Sequence, residues 1–391
     1  MVLRLGYLTT YDALDESSWP KELFGLFGAG HHLAKNLENE SVLLDYLGPL
    51  EQNQNRLVTT FKKKFYYKVL KRVYESWAEP LVLQEYASKI SRKLSEFNSD
   101  VVLCPENALP FSYLDCKQPI VLWTDATFQW VIDAYPTFKN LCNETRRNIC
   151  ELEKKSLERC ERVVFLSDWA AQTAIQTYGI EASKIRIIPW GANIKCDRTH
   201  EDVKNLIDTR TAQPCKLLFI GLEWFRKGGD VALEVAKELN RRGLKTELLL
   251  VGCQPITTEP LPDFVKTIGF VDKYTEKGLQ QLNQLFCESH FLILPSRAET
   301  FGHVLCEANS FGVPCLASKV GGMTTVIRDG YNGKTFALDA EISEYCNYVT
   351  SLMTKYEEYK QLAYSSFNEY QSRLNWKSAA QAMKQLLTEL A

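Results

Sequence analysis

The stretch FLILPSRAETFGHVLCEANSFGVPCLASKVGG, residues 291–322, decides the fold of the chain. Its first four residues, Phe291–Leu294, are apolar and stop at Pro295, which predicts a strand buried in a parallel sheet. A polar loop follows, then a predicted helix from about Gly302 to Ser310 and a second short apolar strand at Val313–Ala317. The stretch therefore predicts one strand–helix–strand crossover of an α/β protein.

Two carboxylates with seven residues between them lie in this crossover. Glu299 falls in the predicted loop, and Glu307 lies one turn inside the predicted helix. The free amide groups of a helix start attract phosphate, and Gly302 lets a ligand approach the backbone closely. Glu307 can accept hydrogen bonds from paired hydroxyls such as those of a ribose, while Glu299 faces the far end of the ligand. The spacing thus predicts a site for a ligand that carries phosphate.

The segment resembles the E-x7-E signature of retaining glycosyltransferases with the GT-B fold, specifically of glycosyltransferase family 4, the glycosyl transferases group 1. The strand before the glutamates, Phe301-Gly302 between them and Gly321-Gly322 after the second strand belong to the same pattern. The resemblance implies that Glu299 contacts the donor sugar and the phosphates, and that Glu307 binds the nucleotide ribose. The donor site is expected to include the residues around the helix start: Phe301, Gly302, His303 and Val304.

Length and composition indicate two domains of nearly equal size. A chain of 391 residues is too long for one ordinary core, and 45% apolar residues are enough for two. The resemblance implies a GT-B fold, in which two Rossmann-like domains face each other across a cleft. We expect an acceptor-side domain at 1–194, a polar linker at 195–214 and a donor-binding domain at 215–373. A final helix, about 374–391, is expected to pack back on the first domain.

Charge and cysteine content exclude several classes of protein. A net charge of −2 gives no reason to expect nucleic acid as a partner, since a polyanion binder is usually basic. The twelve cysteines contain no C-x-x-C pair, which favours reduced thiols over disulfides or a zinc site. No signal peptide or long apolar run is visible. We therefore expect a cytoplasmic protein that is soluble or, at most, bound at a membrane surface.

The predicted first loop of the N-terminal half contains small residues at the expected start of a helix. Gly28 and Gly30 offer a second place for phosphate there, and the resemblance implies that they face the donor diphosphate. Close packing of the helix on the sheet is the alternative. Both interpretations remain open at the level of sequence.

Asp125 follows the predicted strand Ile120–Trp123, at the sheet edge where ligands bind in open α/β sheets. It is a candidate for an acceptor-side carboxylate that accepts a hydrogen bond from the incoming hydroxyl. The alternative is an N-cap for the segment that follows.

Residues 56–72, RLVTTFKKKFYYKVLKR, are both basic and aromatic. A solvated helix of the acceptor domain is the first interpretation, because charge runs are commonly exposed faces. An interfacial helix that brings the protein to anionic lipid is the second. An arm that binds oligonucleotides is the third.

A second strand-to-helix junction offers a clamp for a diphosphate. The apolar strand Lys216–Ile220 ends at Gly221, and Arg226 and Lys227 precede a predicted helix. Arginine holds oxygens through two donors, and lysine supplies a compact charge. Most family 4 members carry arginine directly after the first glycine and lysine five residues beyond. Lys227 fits the lysine position, but Leu222 takes the arginine position, with Arg226 beside the lysine. We place Gly221, Arg226 and Lys227 in the donor site.

Further along the chain, the segment Ile268–Val271 resembles the family stretch whose backbone contacts the nucleobase, which adds Phe270 to the donor site.

The predicted reaction is the transfer of a sugar from a nucleotide-diphosphate sugar to a hydroxyl acceptor, which is a glycan, a lipid-linked molecule or a small molecule. The sequence has no Asp-x-Asp motif for a metal, so helix amides, Arg226 and Lys227 are expected to stabilise the departing diphosphate without a metal or cofactor. The resemblance implies retention, with attack on the front face and the diphosphate itself helping to deprotonate the acceptor. Asp125 then only assists. A nucleotide-sugar epimerase, a sugar phosphorylase and a non-catalytic nucleotide-sugar binder on the same fold are the alternatives.

Overall fold

The computed structural model describes residues 2–51 and 56–391. The chain divides into two compact units, the first formed by Met1–Pro189 with Ala379–Ala391 and the second by Trp190–Ser378. Each unit contains one parallel sheet of six strands with helices. The predicted α/β class is therefore confirmed.

The first unit has the strand order β2-β1-β3-β4-β5-β6. Its strands are β1 (Arg4–Tyr7), β2 (Leu43–Tyr46), β3 (Val101–Cys104), β4 (Ile120–Thr124), β5 (Arg162–Phe165) and β6 (Ile185–Ile187). Its helices are α1 (Phe24–Asn39), α2 (Arg56–Phe65), α3 (Pro80–Glu96), α4 (Phe128–Ala134), α5 (Asn143–Arg159) and α6 (Asp168–Tyr178). Every residue of β3 and β4 is buried, as expected for central strands of a sheet with helices on both faces.

The second unit has the strand order β12-β11-β10-β7-β8-β9. Its strands are β7 (Cys215–Gly221), β8 (Thr246–Gly252), β9 (Val265–Gly269), β10 (Phe291–Leu294), β11 (Cys315–Ser318) and β12 (Gly333–Phe336). Its helices are α7 (His200–Thr209), α8 (Gly229–Arg241), α9 (Glu276–Glu288), α10 (His303–Asn309), α11 (Met323–Val326), α12 (Ile342–Thr354) and α13 (Tyr356–Arg373). The last helix of the chain, α14 (Trp376–Thr388), belongs mostly to the first unit, which includes Ala379–Ala391.

The crossover predicted from residues 291–322 is present. Strand β10 is fully buried, α10 follows it, and β11 pairs with β10 in parallel. All four residues of β10 are buried, so the side chains on both faces of the strand are covered. This explains why the sequence of β10 is continuously apolar rather than alternating.

The stretch predicted to be a linker, 195–214, is not irregular throughout. It contains α7, which begins with a capping box in which the Thr199 and Asp202 side chains each bond the other's backbone amide. Val203 and Ile207 of α7 are buried, so this helix packs as part of the second unit.

Candidate functional site

The candidate site lies at the carboxyl ends of β7 and β10. These strands are neighbours, with Phe291 opposite Leu217, although β8 follows β7 along the chain. The strand order thus reverses between them, and ligands of open α/β sheets bind at such reversal points, beyond the carboxyl ends of the strands. The loops after β7 and β10 carry most of the residues that the sequence assigned to the donor site.

The first ion pair of the site joins these two loops. The Nζ atom of Lys227 donates a hydrogen bond to Oε2 of Glu299. The side chains are 16% and 7% exposed, so both charges are largely removed from water. Each charge is therefore stabilised mainly by its partner. A Cβ atom on Gly221 would lie 2.9 Å from Cγ of Lys227. The glycine at the end of β7 therefore leaves room for the lysine stem.

The second ion pair involves a lysine that the sequence reasoning missed. Nζ of Lys273 lies 2.6 Å from Oε1 of Glu307, and the two side chains are 14% and 5% exposed. Lys273 follows β9, at the same edge of the sheet as the other loops. A lysine two residues past the segment Ile268–Val271 was the available signal. Glu307 and Lys273 are distant in sequence, so no spacing rule linked them.

Glycines hold the Glu299 loop against the loop that follows β11. Gly321 has φ +53°, and a Cβ atom there would lie 1.7 Å from the carbonyl oxygen of Glu299. The amide of Gly322 donates to the carbonyl of Thr300 at 2.9 Å. Gly302, at φ +86°, is the N-cap of α10 in a conformation that other residues rarely adopt. The position of Glu299 is therefore fixed by backbone contacts on the far side of its loop.

Arginines brace the loops after β7 and β10. Arg226 donates from Nε to Glu223 at 2.7 Å and from Nη1 to the carbonyl of Ala298 at 2.9 Å. Arg297 holds Asp230 through two hydrogen bonds of 2.8 and 2.7 Å. Arg226 thus supports the segment that carries Glu299, and its contact with a diphosphate stays a prediction.

His303, the first residue of α10, is a neutral imidazole. Its ring stacks on Trp190 at a centroid distance of 5.1 Å, and Nδ1 lies 3.3 Å from the carbonyl oxygen of Gly191. Burial, followed by the charges of Lys273 and Lys227, lowers the pKa of His303 to about 3. Because Nδ1 faces a carbonyl, it carries the proton and Nε2 keeps a lone pair. Among the residues that the structure describes, Nε2 has no hydrogen-bond partner.

The remaining donor-site predictions of the second unit differ in exposure. Phe301 is 1% exposed, and its ring lies 6.5 Å from that of Trp190, so the side chain packs in the core. Val304 is half-buried in the first turn of α10. Phe270 is 38% exposed just past β9. Of these three side chains, Phe270 is the one most accessible to a ligand.

The predicted helix start at Gly28 and Gly30 is wrong. Helix α1 begins at Phe24, so both glycines lie inside it and are buried. A Cβ atom on Gly30 would lie 2.1 Å from the hydroxyl of Tyr11, and Tyr7 donates to the carbonyl of Gly30 at 2.5 Å. The glycines thus allow close packing of α1, which was the alternative interpretation, and a phosphate contact stays a prediction.

Asp125 does follow its predicted strand, but the capping alternative is wrong. The N-cap of α4 is Thr127, and the amide of Phe128 donates to both carboxylate oxygens of Glu153, at 2.8 and 2.9 Å. Asp125 is half-buried in the loop between β4 and α4. It belongs to the first unit, as do Gly28 and Gly30, whereas the structure brings the other predicted residues together in the second unit.

No group of three or more histidine, cysteine, aspartate or glutamate side chains in 2–51 and 56–391 is arranged to hold a metal ion. The site described above is instead defined by two lysine–glutamate pairs and a neutral histidine.

Known proteins resemble the chain in both sequence and structure. Residues 214–355 match the family described as glycosyl transferases group 1. A D-inositol 3-phosphate glycosyltransferase of Nocardia farcinica (strain IFM 10152) is 28% identical over 191 residues, which are 46% of this chain and 42% of that protein. The chain thus matches less than half of the length of this curated relative.

Two solved structures resemble the chain over almost all of its length. Sucrose-phosphate synthase from Thermosynechococcus elongatus has a TM-score of 0.66 at 17% identity and covers 100% of this chain and 99% of its own. Anabaena Alr3699/HepE in complex with UDP-glucose has a TM-score of 0.61 at 16% identity, over 99% of this chain and 100% of its own. The fold is that of the GT-B glycosyltransferases. Residues 214–355 are thus similar to the group 1 glycosyltransferases.

Proposed function

We propose that this protein is a retaining glycosyltransferase that moves a sugar from a nucleotide-diphosphate sugar to a hydroxyl acceptor without a metal ion. The observation that carries the proposal is the buried Lys227–Glu299 pair at the reversal point of the second sheet. Burying two charges is costly and contributes little to stability, so such a pair at a ligand edge favours a functional role. The bound UDP-glucose in the HepE structure supports a donor of this class.

Lys227 is suited to hold the donor diphosphate while it remains bonded to Glu299. An ammonium group has three donors, and Glu299 takes one of them. The remaining two point to phosphate oxygens in this proposal. Glu299 then keeps an oxygen for hydroxyls of the donor sugar. In the second pair, Glu307 accepts hydrogen bonds from the ribose diol, and Lys273 fixes the orientation of the Glu307 carboxylate.

The proposed reaction breaks the bond between the sugar C1 and the diphosphate oxygen and forms a bond from C1 to the acceptor oxygen on the same face. Negative charge develops on the departing diphosphate, where Lys227 and the amides of Gly302–Val304 stabilise it. The acceptor proton passes to a diphosphate oxygen, so no protein base is required. Asp125 assists by accepting a hydrogen bond from the acceptor hydroxyl. His303 offers the Nε2 lone pair to a hydroxyl of the donor sugar.

The proposal is tested by a thermal-shift screen of nucleotide-diphosphate sugars with and without EDTA. A ligand that binds the native form raises the melting temperature, and the hit is then incubated with candidate acceptors. We expect a shift that EDTA leaves unchanged and slow release of nucleoside diphosphate that an acceptor accelerates. An epimerised donor, phosphate-dependent release of sugar-1-phosphate, or tight binding without any turnover would each replace the proposal by one of the alternative functions.

A further inference from the structure

Helix α2 and the turn after it direct their apolar side chains away from the protein. The turn, Tyr66–Leu70, is π-helical and continues α2 directly. Seven apolar or aromatic side chains in the two elements are between 41% exposed, for Val58, and 88% exposed, for Leu57. We refer to them as the outward apolar face: Leu57, Val58, Phe61, Phe65, Tyr67, Val69 and Leu70.

The inward side of α2 is polar, which reverses the usual arrangement of a surface helix. Thr59 is buried, and Nζ of Lys62 bonds Glu79 at 2.9 Å and Glu144 at 2.7 Å. The hydroxyl of Tyr66 donates to the other oxygen of Glu144 at 2.7 Å. Ordinary surface helices bury their apolar stripe and expose their charges. Helix α2 is instead attached to the first unit by ion pairs and hydrogen bonds, and its apolar stripe is left at the surface.

The outward apolar face forms a continuous stripe. Leu57, Phe61 and Phe65 follow one another at intervals of four residues and therefore lie on one side of the helix. The rings of Phe61 and Phe65 stack at a centroid distance of 6.4 Å. The π-helical turn adds Tyr67 and Val69 at 69% and 63% exposure.

A rim of positive charge surrounds this stripe. Four exposed lysines lie within the same two elements or just beyond them: Lys63, Lys64, Lys68 and Lys71. No aspartate or glutamate occurs between Arg56 and Tyr74, although the whole chain has a net charge of −2. The positive charge is therefore local to the surface that also exposes the apolar side chains.

We propose that the outward apolar face docks the protein on the surface of an anionic lipid bilayer, with α2 lying in the plane of the interface. Phenylalanine and tyrosine rings enter the boundary between headgroups and acyl chains, and lysines contact the anionic headgroups. A second copy of the chain fits this face poorly, because a symmetric contact would bring the two lysine rims together. A nucleic acid would pair with the lysines but leave the apolar side chains uncovered.

The dimensions of α2 agree with docking on the surface. Ten residues of helix span about 15 Å, roughly half of a hydrocarbon core. Within the part of the chain that the structure describes, no helix combines the length and apolarity needed to cross a bilayer. The proposal is independent of the two lysine–glutamate pairs of the candidate site, which lie in the second unit.

The test is flotation of the full chain with vesicles of phosphatidylcholine alone and with vesicles in which about one third of the lipid is phosphatidylglycerol. We expect binding to the anionic vesicles that weakens as salt is added. The double variant F61S/F65S should reduce the partition coefficient roughly tenfold or more, because two large apolar side chains no longer leave water. The variant K63Q/K64Q should reduce binding to anionic vesicles specifically.

The matched control is the double variant I256S/L338S, which removes two apolar side chains that are 61% and 59% exposed in the second unit. It should bind vesicles like the unchanged protein. Equal melting temperatures for all variants would show that the fold is intact. Failure of the unchanged protein to float with anionic vesicles, or equal binding by F61S/F65S, would overturn the proposal. So would a dimer in solution that F61S/F65S converts to a monomer.

Discussion

Glu299 and Glu307 each form an ion pair with a lysine from a separate loop. A substitution of either glutamate therefore removes its own charge and also leaves the paired lysine without its counterion. Replacement by glutamine keeps the size of the side chain and removes its charge. We expect Glu299→Gln to lower kcat by about two to three orders of magnitude, since this group contacts the reacting sugar in the proposed mechanism. Glu307→Gln should mainly raise the KM for the donor, because the ribose interaction is the same in ground and transition states.

Steady-state kinetics with varied donor concentration separate these two effects. Glu288→Gln is the control, because Glu288 pairs with Lys216 at 2.9 Å in the same unit but outside the site. It should leave both constants unchanged. Wild-type turnover by Glu299→Gln would show that the site assignment is wrong.

Lys273 is expected to act on donor binding through Glu307. The variant Lys273→Met removes the charge and keeps most of the stem, which leaves the buried carboxylate of Glu307 without its cation. We expect the KM for the donor to rise by about tenfold or more, with a smaller change in kcat. Isothermal titration with the donor measures the same loss directly. Lys273→Arg should restore part of the affinity, and equal affinity of Lys273→Met and the unchanged protein would exclude the role.

Glu153 predicts a pH dependence of the first unit. Burial raises the pKa of Glu153 to about 7 from an ordinary value of 4.5. The folded state therefore binds the carboxyl proton of Glu153 more tightly than the unfolded state does. The stability contributed by the protonated Glu153 is complete below pH 4.5 and is lost as pH rises through 7. The loss amounts to about 3 kcal/mol, since each unit of pKa corresponds to about 1.4 kcal/mol.

Glu153→Gln should remove this pH-dependent contribution to stability while retaining a side-chain acceptor for the amide of Phe128. Urea unfolding of both proteins between pH 5 and 8 measures it. The difference in unfolding free energy should shift in favour of the variant as pH rises. A difference that does not vary with pH would contradict the raised pKa.

At the scale of single elements, the loop of Glu299 depends on a glycine in another loop. We expect Gly321→Ala to displace this loop, because the new Cβ atom would lie 1.7 Å from the Glu299 carbonyl. The cost is about 1–3 kcal/mol of stability, together with a loss of donor affinity. Differential scanning calorimetry and donor titration measure the two effects. Gly243→Ala is the control, since it has φ +88° but nothing within 4 Å of the new Cβ, and it should lose stability without losing donor affinity.

The elements also show which parts of the fold are readable from sequence. The β10–α10–β11 crossover was predicted correctly because its strands are continuously apolar and lie close together along the chain. Helix α7 was missed because its two buried residues, Val203 and Ile207, are too few to give a clear helical period. The capping box of Thr199 and Asp202 was the stronger signal. Strand β2 was missed because it has four residues, of which the charged Asp45 is the buried one.

The residues of the candidate site also fall into those that were readable from the sequence and those that were not. Glu299 and Glu307 were found because their spacing is local. Lys273 was missed, because the fold brings it to Glu307 from a separate loop. Glu153 lies on α5, and its carboxylate accepts a hydrogen bond from the amide of Phe128, the first residue of α4. Contacts between distant parts of the chain leave no regular spacing in the sequence, so they required the structure.

At the scale of the whole molecule, the two units have separate sheets, and the lysine–glutamate pairs belong entirely to the second. Donor binding should therefore produce a local response in that unit. We expect a nucleotide-diphosphate sugar at about a hundred times its Kd to stabilise the native form by about 2.7 kcal/mol. Amide hydrogen exchange should slow in the loops that carry Lys227, Lys273 and Glu299, because binding restricts their opening.

Hydrogen exchange followed by mass spectrometry, with and without donor, resolves these loops. The Lys227→Met variant is the control, since it lacks the cation that holds the diphosphate in the proposed function and should show little change in exchange at the same donor concentration. The peptides of β3 and β4, buried in the sheet of the first unit, provide an internal reference. Protection confined to the first unit would place the donor elsewhere. Protection of all three loops, lost in Lys227→Met, would tie donor binding to the pairs at the reversal point of the second sheet.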